Sequence, residues 1–281
     1  MVKASIFFIL TSIYLLVEVK EIGAREIEVK ETQAVPGQID NRRQELLIEP
    51  LDREKIERQR EAVDIAPASS ASSPTAFGAS WGSVFAASGF QARTRFTDEA
   101  DGAIGMGFGL GDSEKLGVTV NVTVFDLKDE PASRGGIGFK VHRRVAEDFY
   151  AAVGVENAVV WGFTDAGTSG YGVATKVFRL RDDPQSPFST LTVSLGVGGG
   201  RFRSEDDIND GVSSVNLFGS VGLRVAKPVT AIADWTGQDL TLGASIVPLN
   251  NTPFFITPSV ADITGNAGDG ARFILGVGYS F

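Results

Sequence analysis

Few residues of this sequence have the types and spacing that acid–base or nucleophilic chemistry requires. His142 is the only histidine, and the chain contains no cysteine. A nucleophilic hydrolase needs a serine, a histidine and an orienting acid or amide within hydrogen-bond reach. His142 is followed by two arginines, Arg143 and Arg144. We therefore expect a protein that is not an enzyme and that needs no cofactor.

Acidic residues cluster at 205–211, where they superficially resemble a calcium-binding loop. Such a loop repeats Asp or Asn at every second position and ends in a glutamate. Started at Asp206 this register fails at Ile208, and started at Asp207 it fails at Gly211. The absence of cysteine also excludes Cys-based zinc sites. The sequence therefore predicts no metal site and favours a solvated loop at 205–211.

Side chains alternate with a period of two over most of the chain from Phe77 onward, which indicates β-strands. In one such stretch, Val193 and Leu195 alternate with Thr192 and Ser194. The sequence yields twelve candidate strands, at 77–92, 102–110, 115–125, 135–144, 149–159, 170–178, 188–199, 212–225, 229–235, 240–247, 253–263 and 271–281.

The two faces of these strands differ in a way that argues against a soluble protein. One face is large and apolar, and the other is mostly Gly, Ala, Ser and Thr with scattered charge. A soluble sheet would expose a charged face. Small polar residues suit a barrel lumen, and large apolar ones suit lipid. We therefore expect the apolar sets to point outward, including Phe77 and Phe85 in the first candidate and Tyr171 and Val173 in the sixth.

The last nine residues carry the most specific signature. An apolar stripe alternates with Ile274 and small residues, and the stripe consists of Phe273, Leu275, Val277, Tyr279 and Phe281. A strand of this kind resembles the closing strand of porin-like outer-membrane β-barrels of diderm bacteria. The resemblance implies that the barrel lies in membrane lipids and that the barrel-assembly machinery reads the stripe as its signal.

These features together predict an all-β fold, a transmembrane antiparallel up-and-down β-barrel of about twelve strands over residues 76–281. A mean hydropathy of +0.05 fits this fold, because only alternate residues of each strand need to be apolar. The net charge of −9 argues against a nucleic-acid partner. If the last strand ends at the periplasmic side, most of the longer connections lie outside the cell.

The N-terminal part of the chain is predicted to direct export. Lys3 precedes a largely apolar run at 4–17, which is shorter than the roughly 20 residues of a spanning helix and typical of a signal peptide. We place the signal peptide at 1–24; the alternative is an uncleaved anchor. Residues 25–75 form a charged periplasmic arm, in which Pro50 interrupts any helix and 65–76 is a small-residue linker. This arm is expected to be solvated, to plug the barrel or to bind a periplasmic partner.

Strand parity also selects the charged residues that are predicted to face the lumen. They are Lys140, His142, Glu156, Lys176, Arg224, Asp234 and Arg272. Because positive charges outnumber negative ones, an open pore would favour anions. The favoured function is a passive channel for small solutes, and the alternative is a closed barrel that anchors the arm or displays interaction loops.

An outer-membrane lipid hydrolase is a remote alternative. Outer-membrane phospholipases have barrels of similar strand number, but their family motif places a histidine shortly before a serine and an asparagine. Arg143 and Arg144 follow His142 instead, so this sequence departs from that motif.

Overall fold

The computed structural model describes residues 66–128, 132–164, 167–249, 252–265 and 267–280. The predicted signal peptide, residues 25–65 of the predicted arm and Phe281 lie outside these ranges. The strands are β1 Val84–Gln91, β2 Asp101–Asp112, β3 Leu116–Phe125, β4 Arg134–Ala146, β5 Phe149–Trp161, β6 Ser169–Arg179, β7 Thr190–Gly198, β8 Asn216–Ala226, β9 Val229–Trp235, β10 Leu240–Ile246, β11 Phe254–Ala261 and β12 Arg272–Ser280. A 3₁₀ turn, Gly200–Phe202, and a short helix α1, Glu205–Asn209, follow β7.

These strands form one closed antiparallel barrel. Each strand pairs with its neighbours in sequence, and β1 pairs with β12 to close the sheet. Closure pairs both edges of the sheet, so no strand edge is left open. The predicted all-β, up-and-down barrel of twelve strands is confirmed.

The two faces of the barrel wall have the polarity that the sequence predicts. On β7 the side chain of Leu195 is 61 % exposed, whereas the adjacent Ser194 is 2 % exposed. On β8 and β9, Leu217 is exposed while Ser220 and Thr230 are buried. Large apolar residues outside and buried hydroxyls inside reverse the usual arrangement of a protein in water.

The predicted faces of two strands are wrong. In β6, the hydroxyl of Thr175 accepts a hydrogen bond from the Ala76 backbone inside the barrel, so Tyr171 and Val173 also face inward. The physical reason is that this sector of the lumen contains an apolar cluster, so the apolar face of β6 is buried inside. The charged neighbour Lys176 consequently faces outward.

The first strand also differs from its prediction. It begins at Val84 rather than at 77, and Phe77 lies inside the barrel with its ring 4.9 Å from that of Tyr150. Phe85 pairs with Gly107 and turns its ring inward over that glycine. Phe77 and Phe85 therefore fill the lumen rather than contact the surroundings.

The two ends of the barrel differ in their connections. We call one end the turn end; it carries the connections after β2, β4, β6, β8 and β10, which include the two-residue turns at 147–148 and 227–228. We call the other the loop end; it carries the connections after the odd-numbered strands, including the longest one at 199–215. The end of β12 and the start of β1 both lie at the turn end.

Residues 66–80, which we call the lumen segment, run inside the barrel as a folded-back loop. Ala68 contacts Ser245 of β10 near the turn end, and Ala79 contacts Thr119 of β3, again near the turn end. Between them, residues 70–73 reach Asp234 near the loop end of β9. The sequence predicts most of this stretch as a linker, but its small side chains fit the narrow lumen and its backbone hydrogen-bonds to the wall.

Candidate functional site

The tip of the lumen segment, residues 70–73, is bound by a single carboxylate. Both oxygens of Asp234 are engaged, and five groups donate to them: the hydroxyls of Ser70 and Ser73 and the backbone N–H groups of Ala71, Ser72 and Ser73. The three backbone N–H···O distances lie between 2.8 and 3.1 Å. Successive N–H groups that converge in this way form an anion-binding concavity. Asp234 is fully buried by this contact.

The second half of the lumen segment is bound by cationic and hydroxyl side chains of β3, β4 and β6. The Lys140 ammonium donates to the backbone carbonyls of Thr75 and Phe77. His142 Nε2 lies 3.2 Å from the carbonyl oxygen of Ala79 and 3.2 Å from the hydroxyl of Thr119. Lys140 and His142 therefore bind backbone oxygens of the segment, whereas the hydroxyls of Thr119 and Thr175 accept hydrogen bonds from its backbone N–H groups.

An apolar cluster adds to these polar contacts at mid-height. Ala76 is buried against Ala152 of β5 and Val173 of β6, with Tyr150 packed beside them. The edge-to-face pair of Phe77 and Tyr150 extends this contact. Residues 75–80 are thus packed against the wall as well as hydrogen-bonded to it.

Residues 199–203 of the β7–β8 connection, which we call the lid, fold into the loop end of the lumen. Phe202 is fully buried and stacks on Phe218 at 4.3 Å, with Tyr171 edge-on at 5.7 Å. Arg201 pairs with Glu156 of β5, and its Nη2 also donates to the carbonyl of Ser72 at 3.2 Å. The lid and the tip therefore meet, and the lumen is filled from both ends.

Charged side chains also join three loops around the loop end. Arg95, from the β1–β2 connection, pairs with Glu205 of α1 at 3.2 Å and with Asp239 at 2.9 Å. Arg272 of β12 pairs with Asp239 from inside the barrel at 3.1 Å. This network fixes the base of the lid to neighbouring connections.

Six of the seven charged residues predicted to face the lumen lie on its wall. Lys140, His142 and Asp234 bind the lumen segment, Glu156 binds the lid and Arg272 binds Asp239. Arg224 is buried on β8 and donates to the carbonyl of Lys227 at the turn end.

The prediction that Lys176 faces the lumen is wrong. Its Nζ donates to the carbonyl of Glu147 in the β4–β5 turn, on the outer face. The cause is the reversed parity of β6, since Thr175 beside it takes the inward position. A long cationic side chain on an apolar face reaches back to the polar edge in this way.

The stripe predicted as an assembly signal lies on the outer face of β12. Phe273 is exposed and Leu275, Val277 and Tyr279 are half-buried, while Arg272 and Gly278 on the other face are buried. Phe281 is not among the described residues. The stripe is therefore continuous with the apolar outer face of the barrel.

Residues 78–82 have G-x-S-x-G spacing, which accompanies the nucleophile of some hydrolases when it joins a strand to a helix. Here it precedes β1 and no helix follows. The Ser80 hydroxyl pairs with Ser113 at 2.9 Å, and His142 pairs with Thr119 and Ala79. Within the described residues these contacts do not join the serine to the histidine.

The acidic run at 205–211 contains a short helix. Ser204 caps α1 by accepting from the backbone N–H of Asp207. Hydrogen bonds from Ser214 and from Ser204 lower the pKa of Asp207. Among the described residues there is no group of three His, Cys, Asp or Glu side chains that would hold a metal ion.

A cavity of 440 Å³ lies along the lumen segment. Its lining consists of residues 66–73 together with Thr75 and Phe77. The described lining of this cavity therefore belongs to the lumen segment.

No protein-family model matches the chain, and no curated protein matches it. No helix in the described part of the chain is long and apolar enough to cross a membrane. The function is therefore inferred from the barrel itself, whose polar lumen is occupied by its own residues.

Proposed function

We propose that the protein is an outer-membrane β-barrel that acts as a channel for small polar solutes and is closed in the described conformation. The observation that carries the proposal is the reversed polarity of the wall. A band of exposed Leu, Val and Phe around a closed barrel is unfavourable in water and suits lipid. The buried hydroxyls on the other face suit an aqueous lumen.

The orientation follows from the two ends of the barrel. Outer-membrane barrels have short periplasmic turns and longer extracellular loops. The turn end would then face the periplasm, and the loop end with its lid would face outward. The first described part of the lumen segment, near Ala68, lies at the turn end and would then be on the periplasmic side.

The wall favours uncharged polar solutes over ions. Much of its inner surface consists of hydroxyl side chains, namely Thr119, Thr175, Ser194, Ser220, Thr230, Thr241, Ser245, Thr257 and Ser259. Its charged groups are largely engaged, since Glu156 pairs with Arg201 and Arg272 pairs with Asp239. This differs from the anion preference that the sequence predicts, because that prediction counted charges without their partners.

A closed anchoring barrel is the second candidate. The contact of Arg201 with both Glu156 and the Ser72 carbonyl favours it, because this contact joins the lid to the tip and fills the loop end. In that case the barrel would hold residues 25–65 at the membrane and conduct nothing.

Two measurements test the proposal. The exported protein should require detergent and should migrate differently before and after heating; a soluble, detergent-free species would contradict the membrane location. In planar bilayers the native protein should be largely silent, and a variant that lacks residues 66–79 should conduct. A heat-modifiable variant without conductance would favour the anchoring barrel.

A further inference from the structure

We propose that Asp234 is a latch that holds residues 70–73 in the lumen, and that release of this tip opens the channel while residues 75–80 stay on the wall. The opening of a channel rests on the proposed function. The latch itself requires only the contact between the Asp234 carboxylate and residues 70–73. The two halves of the lumen segment are bound in different ways and by different strands.

The tip depends on one side chain of the wall to an unusual degree. Apart from the Arg201 contact and a bond from Ser73 to the Trp235 carbonyl, its described contacts with the barrel converge on Asp234. Without the carboxylate charge, the backbone N–H groups of Ala71, Ser72 and Ser73 would lose their charged acceptor, and that of Ser73 is buried. Buried donors without an acceptor are costly, so the tip should then leave for water.

The second half does not share this dependence. Ala76 and Phe77 pack against β5 and β6, and Lys140 and His142 on β4 bind the carbonyls of Phe77 and Ala79. These contacts lie on β3–β6, whereas Asp234 lies on β9. Loss of the latch therefore leaves the second half attached and frees the sector formed by β8–β11.

The wall in that sector contains hydroxyl groups to which water could hydrogen-bond. The hydroxyls of Ser220 on β8 and Thr257 on β11 are buried without a hydrogen-bond partner. Ser220 is the direct strand neighbour of Asp234, so it lies beside the tip. Water that enters when the tip leaves would satisfy these hydroxyls, which offsets part of the cost of opening.

A cavity also lies along the tip. The 440 Å³ cavity is lined by the first half of the segment and by the tip, with Thr75 and Phe77 at its border. To the described residues the first half has two other attachments: Ala68 donates to Ser245, and Ser69 lies against Gly222. Among the described contacts, withdrawal of the tip from the wall therefore breaks few besides the latch.

The test uses Asp234→Asn in the full chain with a single cysteine in place of Ser220, which is buried beside the tip. The native sequence has no cysteine, so a membrane-impermeant maleimide reports this position alone. Labelling of the reconstituted, heat-modifiable protein should be at least about tenfold faster in Asp234→Asn than in its parent, since a hydrogen-bonded charge contributes more than a tenfold equilibrium shift. Conductance should rise in parallel.

Asp262→Asn is the matched control. Asp262 is also a buried aspartate and also accepts a backbone hydrogen bond, from Ala267, but it lies in the β11–β12 connection. Labelling of the cysteine at 220 should not change in this variant. Equal acceleration in both variants would show general loosening and would overturn the latch.

The remaining outcomes separate the latch from the channel. Fast labelling without conductance supports the latch and contradicts the channel. Slow labelling in Asp234→Asn, with conductance only after removal of residues 66–79, supports the channel and overturns the latch. If Asp234→Asn does not fold, Ser73→Ala replaces it; this variant removes one hydroxyl donor and should accelerate labelling, and unchanged labelling would contradict the latch.

Discussion

At the scale of single residues, the position of a side chain on a strand decides what surrounds it. Leu195 is largely exposed on the outer face of β7, and Ser194 beside it is buried and hydrogen-bonded to Thr175. A shift of one position along the strand reverses the environment. A charge at position 194 would enter a packed part of the lumen, and a charge at position 195 would interrupt the apolar outer face.

Leu195→Arg should destabilise the barrel by about 2–4 kcal/mol if this residue lies near the bilayer midplane. The reason is the cost of a charged group in hydrocarbon. The measurement is the urea concentration at which half of the protein in lipid vesicles loses the electrophoretic mobility of the folded barrel. Leu180→Arg is the control, because Leu180 is also exposed but lies beyond the end of β6; equal losses in both variants would argue against a lipid-facing β7.

Gly78→Ala tests the close packing of the lumen segment on β4. A Cβ at residue 78 would lie 2.2 Å from two ring atoms of His142, which is itself buried. We expect a loss of about 1–3 kcal/mol, as for other overpacked sites, measured as a lower urea midpoint. Gly89→Ala should be near neutral because nothing lies within 4 Å of the corresponding Cβ. A neutral Gly78→Ala would place the segment elsewhere.

At the scale of strands and turns, the turn after β4 is stabilised by a charged pair with β6. Arg179 donates to both oxygens of Asp148, at 2.7 and 2.8 Å. The hydrogen bond from Arg179 holds the pKa of Asp148 below its usual value. Such a group contributes stability above the unfolded-state pKa, and the contribution is lost as pH falls through the folded-state pKa.

Asp148→Asn should therefore lower the heat stability of the barrel at neutral pH. The difference from the native protein should shrink as the pH falls below about 3.9, the ordinary aspartate value, and should disappear once the pH passes the lower folded-state pKa, where the native carboxylate is neutralised as well. The readout is the temperature at which heating changes the electrophoretic mobility of the barrel, measured at neutral pH and at acid pH. Asp182→Asn, at an exposed position of the β6–β7 connection, should show no such difference; a pH-independent effect of Asp148→Asn would contradict the charged pair.

The reversed parity of β6 gives a direct test of the wall. Single cysteines at Val173 and Ala174 should behave oppositely, because Val173 is buried in the lumen cluster and Ala174 lies on the outer face. A lipid-dissolved quencher should reach a probe at 174 and not one at 173. Cysteines at Ser194 and Leu195 on β7 calibrate the measurement. Quenching at 173 and not at 174 would instead support the sequence prediction that Val173 faces outward.

At the scale of the whole molecule, two separate closures meet inside one barrel. The lid occupies the loop end through Phe202, and the lumen segment occupies the adjoining part of the lumen. Because Arg201 contacts Ser72, the two closures share one hydrogen bond. Elements in direct contact are expected to give non-additive effects when both are changed.

Phe202→Ala alone should leave conductance low, because the tip still occupies the lumen. Combined with Asp234→Asn, it should raise conductance above the sum of the two single effects. The measurement is single-channel recording of the four matched proteins, with heat-modifiability as the folding control. Full conductance of Phe202→Ala by itself would show that the lid is the only closure.

The sequence by itself determined the strand number, the closed barrel and the polarity of most faces. This follows because period-two alternation is a local property: Val193 and Leu195 point away from Thr192 and Ser194 in any strand. The same local logic placed Asp234 and Lys140 on the lumen wall, since each lies on a strand whose parity its neighbours make clear.

Only the tertiary structure decided what fills the lumen. Residues 66–76 have no periodic pattern, and their role comes from backbone groups that hydrogen-bond to Asp234, Lys140 and Thr175 on distant strands. Sequence spacing does not reveal such contacts. The predicted parity of β6 was wrong for the same reason. An apolar face indicates burial away from water, and both lipid and a packed lumen meet that requirement.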